Sequence, residues 1–219
     1  MGFYRGANVV TSGLVLALDA ANTKSYPGSG TTWTDLSGNG NNGTLTNGPT
    51  FNSANGGSIV FDGVDDYVSV SSITWTPTAF TVNWFTFANT RTSFNQAIGA
   101  SNGWGAFSFH TDANGSIYAG IDVATRLTPS NISNDTYVLN IYQNFTFTYG
   151  GGIGSLFKNA VLLGSKSMTA PAAWTGFNLG SNTTSTINGR VALTQIYNRA
   201  LSTSEILQNY NAQKSRFGL

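Results

Sequence analysis

The chain has 219 residues, no cysteine, and ten Lys and Arg against nine Asp and Glu, for a net charge of +1. Charged residues make up 9% of it, against about 25% in ordinary soluble proteins. This balance excludes the concentrated basic surface that nucleic-acid binding needs, and the missing thiols exclude a disulfide scaffold or thiolate metal centre.

The longest apolar run, residues 14–18, is too short to cross a bilayer. Residues 1–6 lack the apolar stretch of a signal peptide, so synthesis and folding in a cytoplasm are expected. Asn, Thr, Ser and 26 Gly supply the polar surface, and aromatics reach 13%. A surface of this kind has little long-range repulsion. It fits burial against other subunits or a neutral ligand, and equally an Asn/Thr-rich β-sandwich.

Residues 14–18 form a continuous apolar run and predict a central strand buried on both faces. Residues 58–61 and 67–70 flank a turn-rich Asp62-Gly63-Val64-Asp65-Asp66 and predict a hairpin. Residues 80–87 predict a strong strand. Residues 106–110 alternate, with Phe107 and Phe109 on one face. Asn114-Gly115 signals a type I′ turn before a strand over 116–122. Residues 137–149 predict a long strand, with Phe145, Phe147 and Tyr149 alternating with Thr146 and Thr148. Residues 156–158 and 161–163 flank Asn159-Ala160 as a second hairpin. Strands over 177–179 and 190–197 follow.

At least ten short strands with frequent turns argue for an all-β sandwich. The whole chain, 1–219, reads as one domain, because no linker or composition break divides it. Residues 37–43 can only be turns, since Asn and Gly tolerate positive φ. One helix of about 10–12 residues is predicted near the C-terminus. Ser202 and Glu205 form its capping box, Leu201 and Ile206 its hydrophobic staple. Ile206, Leu207 and Tyr210 form its apolar stripe.

Four segments, in order, resemble the laminin-G-like branch of the concanavalin A-like lectin/glucanase superfamily: residues 13–20 (GLVLALDA), 33–45 (WTDLSGNGNNGTL), 59–68 (IVFDGVDDYV) and 189–202 (GRVALTQIYNRALS), running on to Glu205 and Ile206. Residues 89–185 match only as generic strands. The resemblance implies two antiparallel sheets in a jelly roll with a short C-terminal helix. Residues 19–33 and 210–219 also resemble structural proteins of tailed bacteriophages, marine and cyanobacterial ones among them.

A glycosidase on such a scaffold needs two carboxylates about 5–9.5 Å apart across a cleft. The densest acid group is Asp62, Asp65 and Asp66, in a predicted turn, and the only Glu is committed to a cap. His110 is the only histidine, and no nucleophile elbow accompanies it; it reads as a strand residue at a surface or interface. No catalytic residue is therefore assigned and no enzyme is expected. The resemblance brings calcium into view, since relatives hold it at a loop rim. Asp62, Asp65 and Asp66, with Asn39, Asn41 and Asn42, offer oxygen ligands of the right kind; turn capping accounts for the same Asp residues without a metal.

A sugar site would use exposed aromatic faces. Trp33, Trp75, Trp104 and Trp174 lie near predicted loops or strand ends, with Trp104 the preferred exposed candidate, whereas Trp84 lies in a strong strand and reads as core. Asn131, Asn134 and Asn144 match the glycosylation pattern, as chance allows in this composition.

The expected function, carried by the resemblance, is a non-enzymatic virion structural protein. It would decorate or cement the outside of a phage head, after assembly in the host cytoplasm. The major capsid protein or other virion proteins would be its partners, alongside self-association and a surface glycan as further candidates, and neither nucleic acid nor membrane is expected as a partner. Phe3, Tyr4 and Arg5, and Arg216, Phe217, Gly218 and Leu219, would dock it. The alternative is a lectin-like adhesin binding host surface glycan on head or tail, tested at Trp104. A hydrolase would depend on Asp65 or Asp66.

Overall fold

A computed structural model describes residues 8–90, 95–101, 105–132, 136–180 and 187–219, without the side chains of 95–97. Trp104, Asn134 and residues 3–5 lie outside this set.

Fifteen strands are present among the described residues. In chain order they are β1 (Leu14–Asp19), β2 (Thr32–Trp33), β3 (Gly43–Thr46), β4 (Thr50–Asn52), β5 (Ser58–Asp62), β6 (Tyr67–Trp75), β7 (Phe80–Ala88) and β8 (Asn95–Ala100). They continue with β9 (Ser108–Thr111), β10 (Ile117–Gly120), β11 (Tyr142–Gly150), β12 (Ile153–Lys158), β13 (Val161–Ser167), β14 (Trp174–Leu179) and β15 (Asn188–Tyr197), and helix α1 spans Thr203–Gln213. One sheet has the order β13-β12-β11-β7-β15-β5-β4, with β1 also on β15, and the other has β10-β9-β8-β14-β6-β3-β2. Two antiparallel sheets packed face to face make the expected jelly-roll sandwich.

Alternation builds the core. Phe80, Val82 and Trp84 of β7 and Phe145, Phe147 and Tyr149 of β11 point inward. They meet Phe107, Phe109, Trp174 and Phe177 from the facing sheet, with ring centroids 4.7 Å apart for Trp84–Phe109 and 5.0 Å for Phe80–Trp174. Edge-to-face pairs such as these two add to the area they bury.

Four predicted elements differ from what forms. Residues 58–61 and 67–70 are not a hairpin: β5 pairs with β15 and β4, whereas β6 pairs with β14 and β3. The Asp62–Asp66 segment therefore crosses between sheets. β1 is not a central strand; it shares one edge of β15 with β5, β5 along 188–191 and β1 along 193–197. Only Leu16 and Leu18 of β1's apolar run are fully buried. The Asn114-Gly115 turn is not type I′, because only Gly115 has positive φ (82°) and Asp112 O accepts from its N–H. The strand expected from 137 begins at Tyr142, after Asn140 takes φ 61°.

The second hairpin forms as expected, with Asn159 (φ 50°) and Ala160 (φ 63°) giving a type I′ turn between β12 and β13. So does the capped helix: Ser202 Oγ accepts from Glu205 N while the Glu205 carboxylate accepts from Ser202 N. Leu201 and Ile206 pack together in one buried cluster, but Leu207 is exposed, and the helix buries Ile206, Asn209 and Gln213.

Helix and C-terminal segment cover the outer face of the larger sheet. There, Asn83 sits in a buried polar group: it donates to Gln195 Oε1 at 2.8 Å, and its Oδ1 accepts from Asn144 Nδ2 at 2.7 Å and from Thr146 Oγ1 at 2.8 Å.

Candidate functional site

The tryptophans sort sharply. Trp33, Trp84 and Trp174 are fully buried, as expected for Trp84 but removing Trp33 and Trp174 as ligand platforms. Trp75, at the end of β6, is half-buried and packs edge-on against Trp174 at 5.7 Å. With Val15, Asn41, Ser72, Ile73 and Thr74 it lines a cleft of about 160 Å³. Its indole Nε1 is buried and has no hydrogen-bond partner among the described residues.

The Gly/Asn-rich loop after β2 shapes this cleft. Asp35 accepts from Ala17 N (2.8 Å), Ser37 N (2.8 Å), Ser37 Oγ (2.7 Å) and Asn41 N (3.0 Å). Asn41 Nδ2 donates to Val15 O at 2.7 Å, Asn39 Nδ2 to Leu14 O at 3.1 Å, and Asn42 Oδ1 accepts from Asp35 N at 2.9 Å. The loop thus satisfies backbone groups of β1 that no strand reaches. Its glycines 38 and 40 take the positive φ that such tight turning requires.

The oxygens considered for calcium are therefore not one site. Asn41 lies beside Ser72–Trp75, whereas Asp62, Asp65 and Asp66 lie before the other end of β6. Six or more strand residues separate them, about 20 Å. The three Asp do converge, with one carboxylate oxygen of each within 4.8 Å of the others. Asp62 Oδ1 accepts from Val64 N, and Asp66 Oδ2 from Asp62 N. Burial first, then the Asp62 and Asp65 charges, raise the Asp66 pKa, against the lowering effect of the Asp62 N–H. A divalent cation would relieve that repulsion, but turn capping already accounts for Asp62 and Asp66.

The outer face of the smaller sheet is a neutral strip. Thr44, Ser69, Asn178, Gly99, Ser108 and Gly120 lie opposite one another across six strands. Beside it, His110 stacks on Tyr118 at 5.0 Å, and the Arg126 guanidinium lies 4.7 Å from the Tyr118 ring centre. His110 is buried rather than at a surface. Burial, then the Arg126 charge, lower its pKa to about 4, with Asp112 opposing. It is therefore neutral near pH 7. Sequence reasoning missed this stack, whose signal lay in the β9–β10 register.

The C-terminal docking residues are used within the chain. Phe217 is buried against Phe85 (4.6 Å) and Tyr142 (4.6 Å), and Arg216 pairs with Asp19.

A two-sheet antiparallel jelly roll of this strand order has the lectin-like fold. The Laminin_G_3 family of the concanavalin A-like lectin/glucanases superfamily matches residues 62–207, and the chain belongs to that superfamily. No curated protein matches it. Among solved structures it is similar to domain 4 of AbnA, a GH43 extracellular arabinanase from Geobacillus stearothermophilus, in complex with arabinotriose. The TM-score is 0.68 at 16% identity, over 90% of this chain and 98% of that one. It is also similar to Trypanosoma rangeli sialidase (TM-score 0.70, 18% identity, 96% of this chain and 34% of that one). A third likeness is to the binding domain of Paraclostridial Mosquitocidal Protein 1 (0.68, 18%, 91% and 52%). The chain thus spans about a third of the sialidase and about half of the mosquitocidal chain. At these identities the likeness is one of fold.

Proposed function

We propose that the chain is a non-catalytic carbohydrate-binding domain that takes a neutral sugar ring in the Trp75 cleft. The observation that carries this reading is the half-buried Trp75 beside Asn41, Ser72 and Thr74. An aromatic face with neutral hydrogen-bonding groups around it suits the apolar face and the hydroxyls of a sugar. At about 160 Å³ the cleft is roughly half the smallest drug-sized site, about 300 Å³, so it suits a single ring.

Outside the Asp62–Asp66 turn, the acids among the described residues are held in structural roles, which supports a role without turnover. Asp35 is saturated by backbone and hydroxyl donors, Asp112 and Asp122 cap turns, Asp19 pairs with Arg216, and Glu205 pairs with Arg199 and caps α1. A glycan array and calorimetry on wild type and Trp75→Ala test the reading. Saccharide binding that falls at least tenfold in Trp75→Ala is expected. Binding unchanged by that substitution, or release of reducing ends from a bound polysaccharide, overturns it.

We infer further that this domain rides on a virion, decorating the head beside the major capsid protein. Its support is the resemblance of residues 19–33 and 210–219 to tailed-phage structural proteins, with the low surface charge. Quantitative mass spectrometry of purified particles tests it: hundreds of copies support decoration, a handful place the domain on the tail as an adhesin, and absence refutes carriage.

A further inference from the structure

A second cleft, larger than the first, opens on the outer face of the larger sheet. Its volume is about 370 Å³, and the starts of β11 and of the 140–141 segment, the end of β7 and the C-terminal residues enclose it. The chain builds it by folding its end back. Gly218 takes φ 70° and its N–H donates to Lys214 O, Asn55 Nδ2 donates to Arg216 O at 3.0 Å, and Arg216 binds Asp19. This holds Phe217 against Tyr142, which in turn lies 5.3 Å from Phe87.

Three aromatic rings thus wall the cleft, and no charged side chain lines it. Asn55 and Asn140, both exposed, put neutral amides at its rim. Tyr142 is 5% exposed, yet its hydroxyl has no hydrogen-bond partner among the described residues. Buried hydroxyls are ordinarily paired. An orphan among aromatic walls with amides at the rim marks a place completed by something outside the chain. The Arg190 and Arg216 guanidinium groups lie over the Phe87 and Phe217 rings, 4.7 and 5.0 Å from their centres, but neither lines the cleft; a purely apolar molecule would leave the hydroxyl and amides unsatisfied.

The geometry points to a second saccharide site in this cleft, with room for about two neutral sugar rings, packed against the half-buried Phe87 and hydrogen-bonded by Tyr142 and Asn140. It shares only the ligand class with the Trp75 reading, because the two clefts lie on different parts of the sandwich and have no lining residue in common.

Saturation-transfer NMR and calorimetry with neutral disaccharides (maltose, cellobiose, lactose and arabinobiose) test it on wild type, Trp75→Ala, Tyr142→Phe and Asn140→Gly. Tyr142→Phe removes an unpaired buried hydroxyl, and Asn140→Gly relieves a left-handed φ, so both proteins should melt no lower than wild type. In the Trp75→Ala background a disaccharide should still bind, and either further substitution should weaken it about five- to tenfold, the loss of one hydrogen bond. A single wild-type binding event that Trp75→Ala abolishes refutes the second site and leaves the first standing. Residual binding indifferent to Tyr142→Phe and Asn140→Gly also refutes it. No saccharide binding in any protein refutes both.

Discussion

The Arg216 guanidinium meets the Asp19 carboxylate at 2.9 Å, joining β1 to the C-terminal segment across 197 residues of sequence. The same guanidinium lies 5.0 Å from the Phe217 ring centre. The pair is partly exposed, at 24% and 31%, so solvent screens it and its worth is modest. What it secures is position, because Phe217 is the plug that packs on Phe85 and Tyr142.

Arg216→Ala should therefore cost about 1 kcal/mol. Thermal unfolding should show a midpoint lower by about 2–4 °C, a difference that shrinks as salt is raised. No change at low salt would mean that Phe217 docks without the ion pair.

Asp35→Ala should be far more costly. It leaves the N–H groups of Ala17, Ser37 and Asn41 without their acceptor, and unmet buried donors cost about 1–3 kcal/mol each before solvent relieves the outer ones. A loss of about 3 kcal/mol is expected in urea unfolding, together with loss of sugar binding at the Trp75 cleft that the loop shapes. A loss under 1 kcal/mol would show that the loop is not a structural cover for β1.

Ala160 sits at φ 63° in the β12–β13 turn, where a Cβ costs about 1–2 kcal/mol. Glycine removes that strain but frees the unfolded chain, by about 0.4–1 kcal/mol. Ala160→Gly should stabilise by about 0.5 kcal/mol, read as a higher urea midpoint at unchanged slope. A lower midpoint would mean that the methyl's packing against the helix-side cluster outweighs the turn strain.

His110 makes stability depend on pH. Its pKa falls from 6.5 to about 4 on folding, so between those values the unfolded chain binds more protons. Stability is full above pH 6.5 and is lost as pH falls toward 4, by up to about 3 kcal/mol. Glu205 and Asp122, lowered to about 2 chiefly by Arg199 and by the Thr169 hydroxyl, add a second loss below about pH 4.5. Asp66, raised by burial, acts with the opposite sign. Unfolding curves from pH 7 to 4 should flatten in His110→Gln while the lower fall persists. An unchanged slope between 6.5 and 4 would refute the assignment to His110.

Much of the fold is legible in short-range patterns. Ser202 and Glu205 announce the helix start because a capping box needs only residues three apart. Asn159-Ala160 marks a hairpin by spacing, and the alternation in residues 80–87 and 145–149 reads out which faces are buried. The Asp62–Asp66 segment shows where such reading stops. Its turn chemistry was visible, but the same residues serve a hairpin or a crossing between sheets, and only the partners of β5 and β6 decide which.

The candidate sites were less legible. Trp104 lies outside the described residues, and Trp33 and Trp174, expected near loops, are core because their strand ends face inward. Trp75 differs from them only in what packs over it. The turn at 112–116 holds one more residue than a two-residue type I′ loop would, and that shift decides that His110 faces Tyr118.

The strand-rich jelly-roll class, the capped helix and the near-neutral surface follow from local sequence, because composition, period and caps act over a few residues. Long-range packing settles that residues 35–42 seal the edge of β1, that the chain's end returns to wall a cleft under Phe87 and Tyr142, and which of the described tryptophans meets solvent. Those outcomes depend on groups brought together from across the chain, through contacts whose partners no local pattern names.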